Sequence, residues 1–148
     1  MRYLIAGLKF NAEHKNARSL VLLLAEKLKN APRPDCIVPV PLHKARYRQR
    51  SFNQVIEIAR VVIKELQLPV DLDCCIRHRD TPHQTELTGK QRRENIKNAF
   101  TVMQPMQARH IAIIDDVMTT GSTVNELARV LKKAGAARVD VWICARAY

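Results

Sequence analysis

Glycine is scarce in this chain. Gly7, Gly89, Gly121 and Gly135 are the only ones, so neither G-x-G-x-x-G nor G-x-x-x-x-G-K-[ST] can be written anywhere, and dinucleotide and Walker-type ATP sites are excluded. The cysteines, Cys36, Cys74, Cys75 and Cys144, show no C-x-x-C spacing, which argues against zinc and against a disulfide framework. Three of them lie inside apolar runs, where a reduced thiol behaves as a small hydrophobe. Long hydrophobic runs are missing too. The longest, over residues 20–25, falls far short of the roughly 20 residues a spanning helix needs, and the amino end lacks the charged-then-apolar pattern of a signal peptide. The expectation is a cytoplasmic chain with no membrane insertion. Acidic residues are the other shortage: 14 Asp plus Glu stand against 25 Lys plus Arg, a net charge of +11. Such a surplus raises the local concentration of phosphate-bearing ligands, although a basic surface kept for solubility gives the same count.

What is present is an ordinary globular composition, 47% hydrophobic and 26% charged over 148 residues, which fits a single domain spanning 1–148. Residues 17–29 carry Leu20, Leu24 and Leu28 on one helical face, ahead of the stop at Pro32 and Pro34. Residues 36–40 read as a buried strand. Ser51-Phe-Asn-Gln54 matches a capping box, followed by Val55, Ile58, Ala59, Val62 and Leu66 at helical spacing, with an end near Leu68. A short strand over 74–76 leads into a polar segment, 77–97, expected to be a loop with a helical end. Residues 110–114 form an apolar strand that should stop at Asp115 and Asp116. A turn over 119–122 follows, then a second capping box, Thr123-Val-Asn-Glu126, heading a helix with Val124, Leu127, Ala128 and Leu131 buried and Gly135 at its end. A last strand covers 138–145. Strands alternating with helices predict an α/β fold, a parallel-stranded sheet flanked by helices, with ligands at the carboxyl ends of strands.

The informative element is the strand, the two carboxylates, Thr119-Thr120-Gly121-Ser122-Thr123, and the helix. A helix amino terminus offers N–H groups and a positive dipole end to a phosphate. Gly121 permits close backbone approach, and the hydroxyls add donors without adding charge. Asp115 and Asp116 can only accept, which suits sugar hydroxyls or a hydrated Mg2+ beside the anion.

The run over 111–123, Ile-Ala-Ile-Ile-Asp-Asp-Val-Met-Thr-Thr-Gly-Ser-Thr, resembles the phosphoribosyl pyrophosphate (PRPP) motif of type I phosphoribosyltransferases. Together with Val38-Pro-Val-Pro-Leu42, Arg50-Ser-Phe-Asn-Gln54, Leu8-Lys-Phe10 and the segment 77–100 with Thr81-Pro82, Gln84, Arg93 and Asn95, it is similar to the ComF family of competence-associated proteins over nearly the whole chain. The resemblance implies a type I phosphoribosyltransferase-like fold with a flexible hood over about 77–97. It implies that Val117, Met118, Thr119, Thr120, Gly121, Ser122 and Thr123 hold the 5-phosphate. Asp115 and Asp116, as catalytic residues, would face the ribose hydroxyls, and Val40, Pro41, Leu42, His43 and Lys44 would form the pyrophosphate loop. Mg2+ would be held mainly by PRPP, with Asp115 and Asp116 as the carboxylates able to join. Many ComF members begin with a four-cysteine zinc ribbon; this chain carries none, so it is truncated at its start or never had one. Ser51 stands where the family usually has glycine, which favours its capping role.

Displacing pyrophosphate from C1 requires stabilisation of a departing polyanion, for which Lys44, Arg46, Arg48, Arg50, Arg77, Arg79, Lys90, Arg92 and Arg93 are candidates, with Arg77, Arg79, Arg92 and Arg93 assigned to the hood. Lys44 and the basic residues up to Arg50 fit a solvated loop equally well. None of His14, His43, His78, His83 and His110 sits in a pair that marks it as an acid or base. The acceptor is not legible. Two readings follow: a Mg2+-dependent transferase acting on PRPP, and a non-catalytic PRPP-binding module that uses its basic surface on single-stranded DNA, as the family's association with DNA uptake suggests. With only 5% aromatic residues there is little surface on which bases stack, and Tyr47 alone lies in a basic cluster. Further partners left open are a second copy, as a homodimer, and a protein of the competence machinery.

Overall fold

The computed structural model describes residues 14–44, 54–79 and 89–146. In chain order these form α1 (His14–Leu28), β1 (Cys36–Pro39), α2 (Gln54–Leu66), β2 (Cys75–Arg77), α3 (Gly89–Ile96), β3 (Phe100–Val102), β4 (His110–Met118), α4 (Ser122–Lys133) and β5 (Arg138–Arg146). β1, β4 and β5 make a parallel sheet in the order β1-β4-β5, with Cys36 opposite Ile111 and Ile111 opposite Val139. β2 and β3 pair antiparallel in a separate two-stranded sheet.

β4 shows why the sheet takes this form. Ile111, Ala112, Ile113 and Ile114 are all fully buried. A strand with no polar alternation needs cover on both faces, and a parallel sheet with helices on each side supplies it. Successive side chains point to opposite faces. Cys36, Val38, Ile111 and Ile113 join Val124, Leu127 and Leu131 of α4 and Cys74, Cys75, Ile96 and Phe100. Ile37, Ala112, Ile114 and Trp142 join Val21 of α1 and Val55, Ile58, Ala59 and Val62 of α2. The expected α/β architecture, a parallel sheet flanked by helices, is the one observed.

Details differ. In α1, Leu24 and Leu28 of the expected face pack on the core beside the buried Val21 and Ala25, at i, i+3, i+4, i+7 spacing, while Leu22 and Leu23 face outward. α2 ends at Leu66, with Gln67 at φ 49 and Leu68 buried behind it; the capping box read at 51–54 lies largely outside the described residues. The short strand expected over 74–76 forms over Cys75–Arg77, where Cys75, Ile76 and Arg77 pair with Val102, Thr101 and Phe100. Of the segment 77–97, the helical end is α3, and residues 80–88 lie outside the described residues.

At the amino ends of the strands, polar side chains fix the register. The Asp35 carboxylate accepts the N–H groups of Arg109 and His110, both at 2.8 Å, and those two bonds hold its carboxyl below its ordinary range. The His110 ring lies 2.9 Å from Asp140 and 3.2 Å from the Arg33 carbonyl. Asp140 also accepts from Arg138 Nε and Nη2 at 2.9 and 3.0 Å. His110 is thus part of the scaffold, roughly 26 Å along β4 from Met118 at about 3.3 Å per residue. The Asp140 carboxyl is lowered from 3.8, chiefly by Arg138, with His110 adding to the effect and desolvation opposing it. A depressed carboxyl stabilises the fold above its unfolded pKa, and that contribution disappears as pH falls through the lower folded-state value. Asp140→Asn is therefore expected to cost about 1 kcal/mol in urea unfolding at pH 7. The gap from the parent protein should close as pH is taken below 3.8.

Candidate functional site

β4 does not stop at Ile114. It runs through the acidic pair to Met118, because β5 continues to offer partners: Asp115 lies opposite Ile143, Val117 opposite Ala145 and Met118 opposite Arg146. The carboxylates fold back on their own strand. Asp115 Oδ1 accepts the Asp116 N–H at 2.9 Å, and Asp116 Oδ1 accepts the Val117 N–H at 2.7 Å.

Strand alternation then separates the pair. Asp115 shares the face of Ile111 and Ile113, toward α4, and Asp116 shares the face of Ala112 and Ile114, toward α1 and α2. Cys144 packs against the latter cluster, and burial, followed by the charges of Asp116 and Asp115, pushes its thiol up to about 12. A surface depression at the end of β4 is lined by Asp115, Val117, Met118, Thr119, Thr120, Gly121, Ser122, Thr123 and Val124. Asp116 is not among those lining residues.

The turn into α4 is built on Gly121, which takes φ 75 and ψ 3, a left-handed conformation that side-chain-bearing residues rarely adopt. A Cβ there would meet Met118 Sδ at 3.4 Å and Asn125 Nδ2 at 3.6 Å. Gly121 is itself the N-cap, and its carbonyl accepts the Asn125 N–H at 2.9 Å. The Thr120 and Ser122 hydroxyls lie 2.8 Å apart, and the Ser122 N–H reaches Thr120 Oγ1 at 3.4 Å. Because α4 starts at Ser122, Thr123 is already inside the helix, and the capping box expected over 123–126 does not form. Glu126 turns elsewhere: its carboxylate accepts the Asn98 N–H at 2.8 Å and two N–H groups of Arg129 at 2.9 and 2.8 Å. Arg129, then Asn98, lower its carboxyl against desolvation. The first N–H groups of a helix have no acceptor within it, so this turn presents an array of donors, hydroxyls and a positive dipole end beside one carboxylate.

Of the expected pyrophosphate loop, Val40 is buried and donates its N–H to the Ile114 carbonyl at 3.0 Å, so the loop leaves β1 one residue short of Asp115 on the neighbouring strand. Pro41, Leu42 and His43 are half-buried and Lys44 is exposed; residues 45–53 lie outside the described residues. The expected hood cations are dispersed. Arg77 is buried in β2 with its guanidinium carbon 5.8 Å from the Phe100 ring centre. Arg79 donates to the Lys97 carbonyl at 2.7 Å, and Arg92 and Arg93 lie on α3. The structure thus gathers Asp115 and the residues 117–123 into one depression, places the Val40 loop on the adjoining strand, and sets the arginines on β2, its end and α3. The sequence singles out Glu126 only as a capping residue, and not Asn98 or the tie between them that joins α3 to α4; only the left-handed bias of Asn hints at Asn98, which sits at φ 54.

No family model matches the chain. Among curated proteins it is 40% identical over 149 aligned positions to the DNA utilization protein YhgH of Escherichia coli K12, covering 97% of this chain and 66% of that protein. It is 35% identical over 153 positions to Competence protein F of Haemophilus influenzae, covering 97% and 67%. The chain belongs to the ComF family. Competence protein ComFC of Streptococcus pneumoniae is a more distant ComF relative, 27% identical over 150 positions, covering 99% of this chain and 63% of that protein. The chain spans 66% of the length of the YhgH relatives it matches.

The ComF fold here is that of the type I phosphoribosyltransferases. It matches a purine phosphoribosyltransferase from Pyrococcus horikoshii with a TM-score of 0.50 at 17% identity, over 88% of this chain and 73% of that one. A hypoxanthine phosphoribosyltransferase from Trypanosoma cruzi, complexed with the product IMP, gives 0.53 at 11% identity, over 90% and 74%. The allosteric regulatory enzyme of purine biosynthesis gives 0.55 at 19%, over 86% and 25%.

Gly121 supplies a direct check of the turn. Gly121→Ala forces a left-handed alanine with its methyl against Met118 and is expected to cost about 1–2 kcal/mol in denaturant unfolding, with Gly121→Asn costing less.

Proposed function

We propose that this ComF chain binds PRPP at the turn between β4 and α4 and acts as a Mg2+-dependent phosphoribosyl transferase. The observation that carries the reading is the Gly121 turn at the carboxyl end of a buried parallel strand, with Asp115 in the same depression. The 5-phosphate sits on residues 117–123, taking N–H groups of the first turn of α4 and the hydroxyls of Thr119, Thr120, Ser122 and Thr123. Asp115 accepts the O–H of a ribose hydroxyl, a bond that fixes the sugar's rotation about the anchored phosphate. Asp116 holds the Val117 N–H and so shapes the strand end that carries Asp115. Pyrophosphate is directed to the Val40, Pro41, Leu42, His43 and Lys44 loop on β1. There the Lys44 cation favours the charge that builds up as the C1–O bond breaks, with Arg79, Arg92 and Arg93 as the further cations proposed for that role.

Oxygen donors of the kind offered by Asp115 and Asp116 suit Mg2+, which takes one or two carboxylates together with substrate phosphates and supplies charge neutralisation of the pyrophosphate when bound. Support beyond the site comes from the fold shared with phosphoribosyltransferases.

A second reading keeps the PRPP site without catalysis and places single-stranded DNA on the basic surface. The net charge of +11 and relatives named for DNA utilization and competence favour it. Calorimetric titration of PRPP with Mg2+ into the purified chain, with and without single-stranded DNA, separates the two. Binding with pyrophosphate release, water taking the place of the acceptor at C1 and leaving ribose 5-phosphate, supports the transferase. Binding without turnover, together with DNA affinity that falls steeply with salt, supports the module. Asp115→Asn is expected to weaken PRPP binding about 10–100-fold, the value of a charge-assisted hydrogen bond, and Asp116→Asn to weaken it less. Unchanged affinity in Asp115→Asn would remove the site assignment.

A further inference from the structure

α3 lies between β2 and β3 in the chain and leads into β3. Among the described residues its carboxyl end is fastened at Asn98. Asn98 sits at φ 54, the left-handed position that commonly ends a helix and that Asn tolerates. Its N–H is donated to Glu126 on α4 at 2.8 Å. The same carboxylate accepts Arg129 Nε at 2.9 Å and Nη2 at 2.8 Å, and Arg129 Nη2 also reaches Asn98 Oδ1 at 3.3 Å. Around this knot Ala99 donates to Ile96, His78 donates to Ala99 and Arg79 donates to Lys97. Ile96, Ala99 and Phe100 are buried in one cluster with Val124 and Leu127.

An i, i+3 ion pair such as Glu126 with Arg129 contributes little on an open helix face. Two features set this one apart. The Glu126 side chain is only 10% exposed, against 52% for Arg129, and a third donor is a backbone N–H from another element. A nearly enclosed carboxylate with three donors fixes a geometry that a solvated pair does not. It stands one helical turn beyond Ser122, on the helix whose first turn is the candidate phosphate site.

We propose that Glu126 is a positioning residue that holds the carboxyl end of α3 to α4 through Asn98 and thereby sets where α3 stands relative to the phosphate turn. The inference rests on the PRPP reading for its consequence: α3 serves the pyrophosphate end of the ligand, whereas the 5-phosphate depends on the turn alone. Removing Glu126 therefore weakens PRPP without weakening ribose 5-phosphate.

The test uses Glu126→Ala and Glu126→Gln in the whole chain. Amide hydrogen exchange on the free protein should show Asn98 and the described part of α3 exchanging about tenfold faster in Glu126→Ala while β4 and β5 keep their rates. Glu126→Gln, whose amide oxygen still accepts the Asn98 N–H, should restore most of the protection. Unchanged exchange at α3, or an equal rise throughout the sheet, overturns the proposal. In titrations with Mg2+, Glu126→Ala should bind PRPP about tenfold more weakly and ribose 5-phosphate within about twofold of the parent. Equal losses for both ligands also overturn it. Should the parent protein bind neither ligand, the PRPP reading fails and the exchange measurement decides the role of Glu126 by itself.

Discussion

Ile111, Ala112, Ile113 and Ile114 lose all their exposure in the middle strand of the parallel sheet, and the rest of the molecule is arranged to make that burial complete. β1 and β5 pair with the two edges of β4, α1 and α2 cover one face, and α4 with the β2–β3 sheet covers the other. Because the strand is pinned on every side, its exit is pinned too. The chain leaves β4 at Met118 and enters α4 at Ser122 through a turn in which Gly121 takes the left-handed conformation. The depression at that turn is therefore held at a fixed place by core packing, and the scaffold's polar ties, Asp35 to Arg109 and His110 and Asp140 to His110 and Arg138, lie at the far end of the strands.

Charge is distributed against this frame. A chain with a net charge of +11 places two adjacent carboxylates on the strand end that leads into α4. Their arrangement removes the apparent conflict, since each carboxylate already accepts a backbone N–H and strand alternation turns Asp115 toward the depression and Asp116 toward the opposite face. Under the proposed function, acceptors at that point would favour a ligand carrying hydroxyls next to its phosphate over a bare phosphate.

Much of this was legible from local pattern. The apolar run over 111–114, the acidic pair, the hydroxyl-rich turn and the spacing of Val124, Leu127 and Leu131 lie within about two dozen residues, and each follows from a period or a residue type that needs no distant partner. Boundaries failed where tertiary context intervened. Pairing with β5 carried the strand through Asp115 and Asp116, and an N-cap at Gly121 left Thr123 and Glu126 without their capping roles. Contacts across long separations left no trace in the sequence: Arg77 opposite Phe100, His110 beside Asp140, and Asn98 on Glu126. Arg77 in particular reads as a loop cation by neighbourhood and is instead packed on an aromatic ring.

Backbone amide shifts followed during titration with ribose 5-phosphate report whether the β4–α4 turn holds the phosphate of that group. The largest changes are expected at Gly121, Ser122, Thr123 and Val124, with Asp115 following, and small changes at the His110 end of the sheet. Changes centred on another surface, or none at the turn at saturating ligand, would contradict that placement.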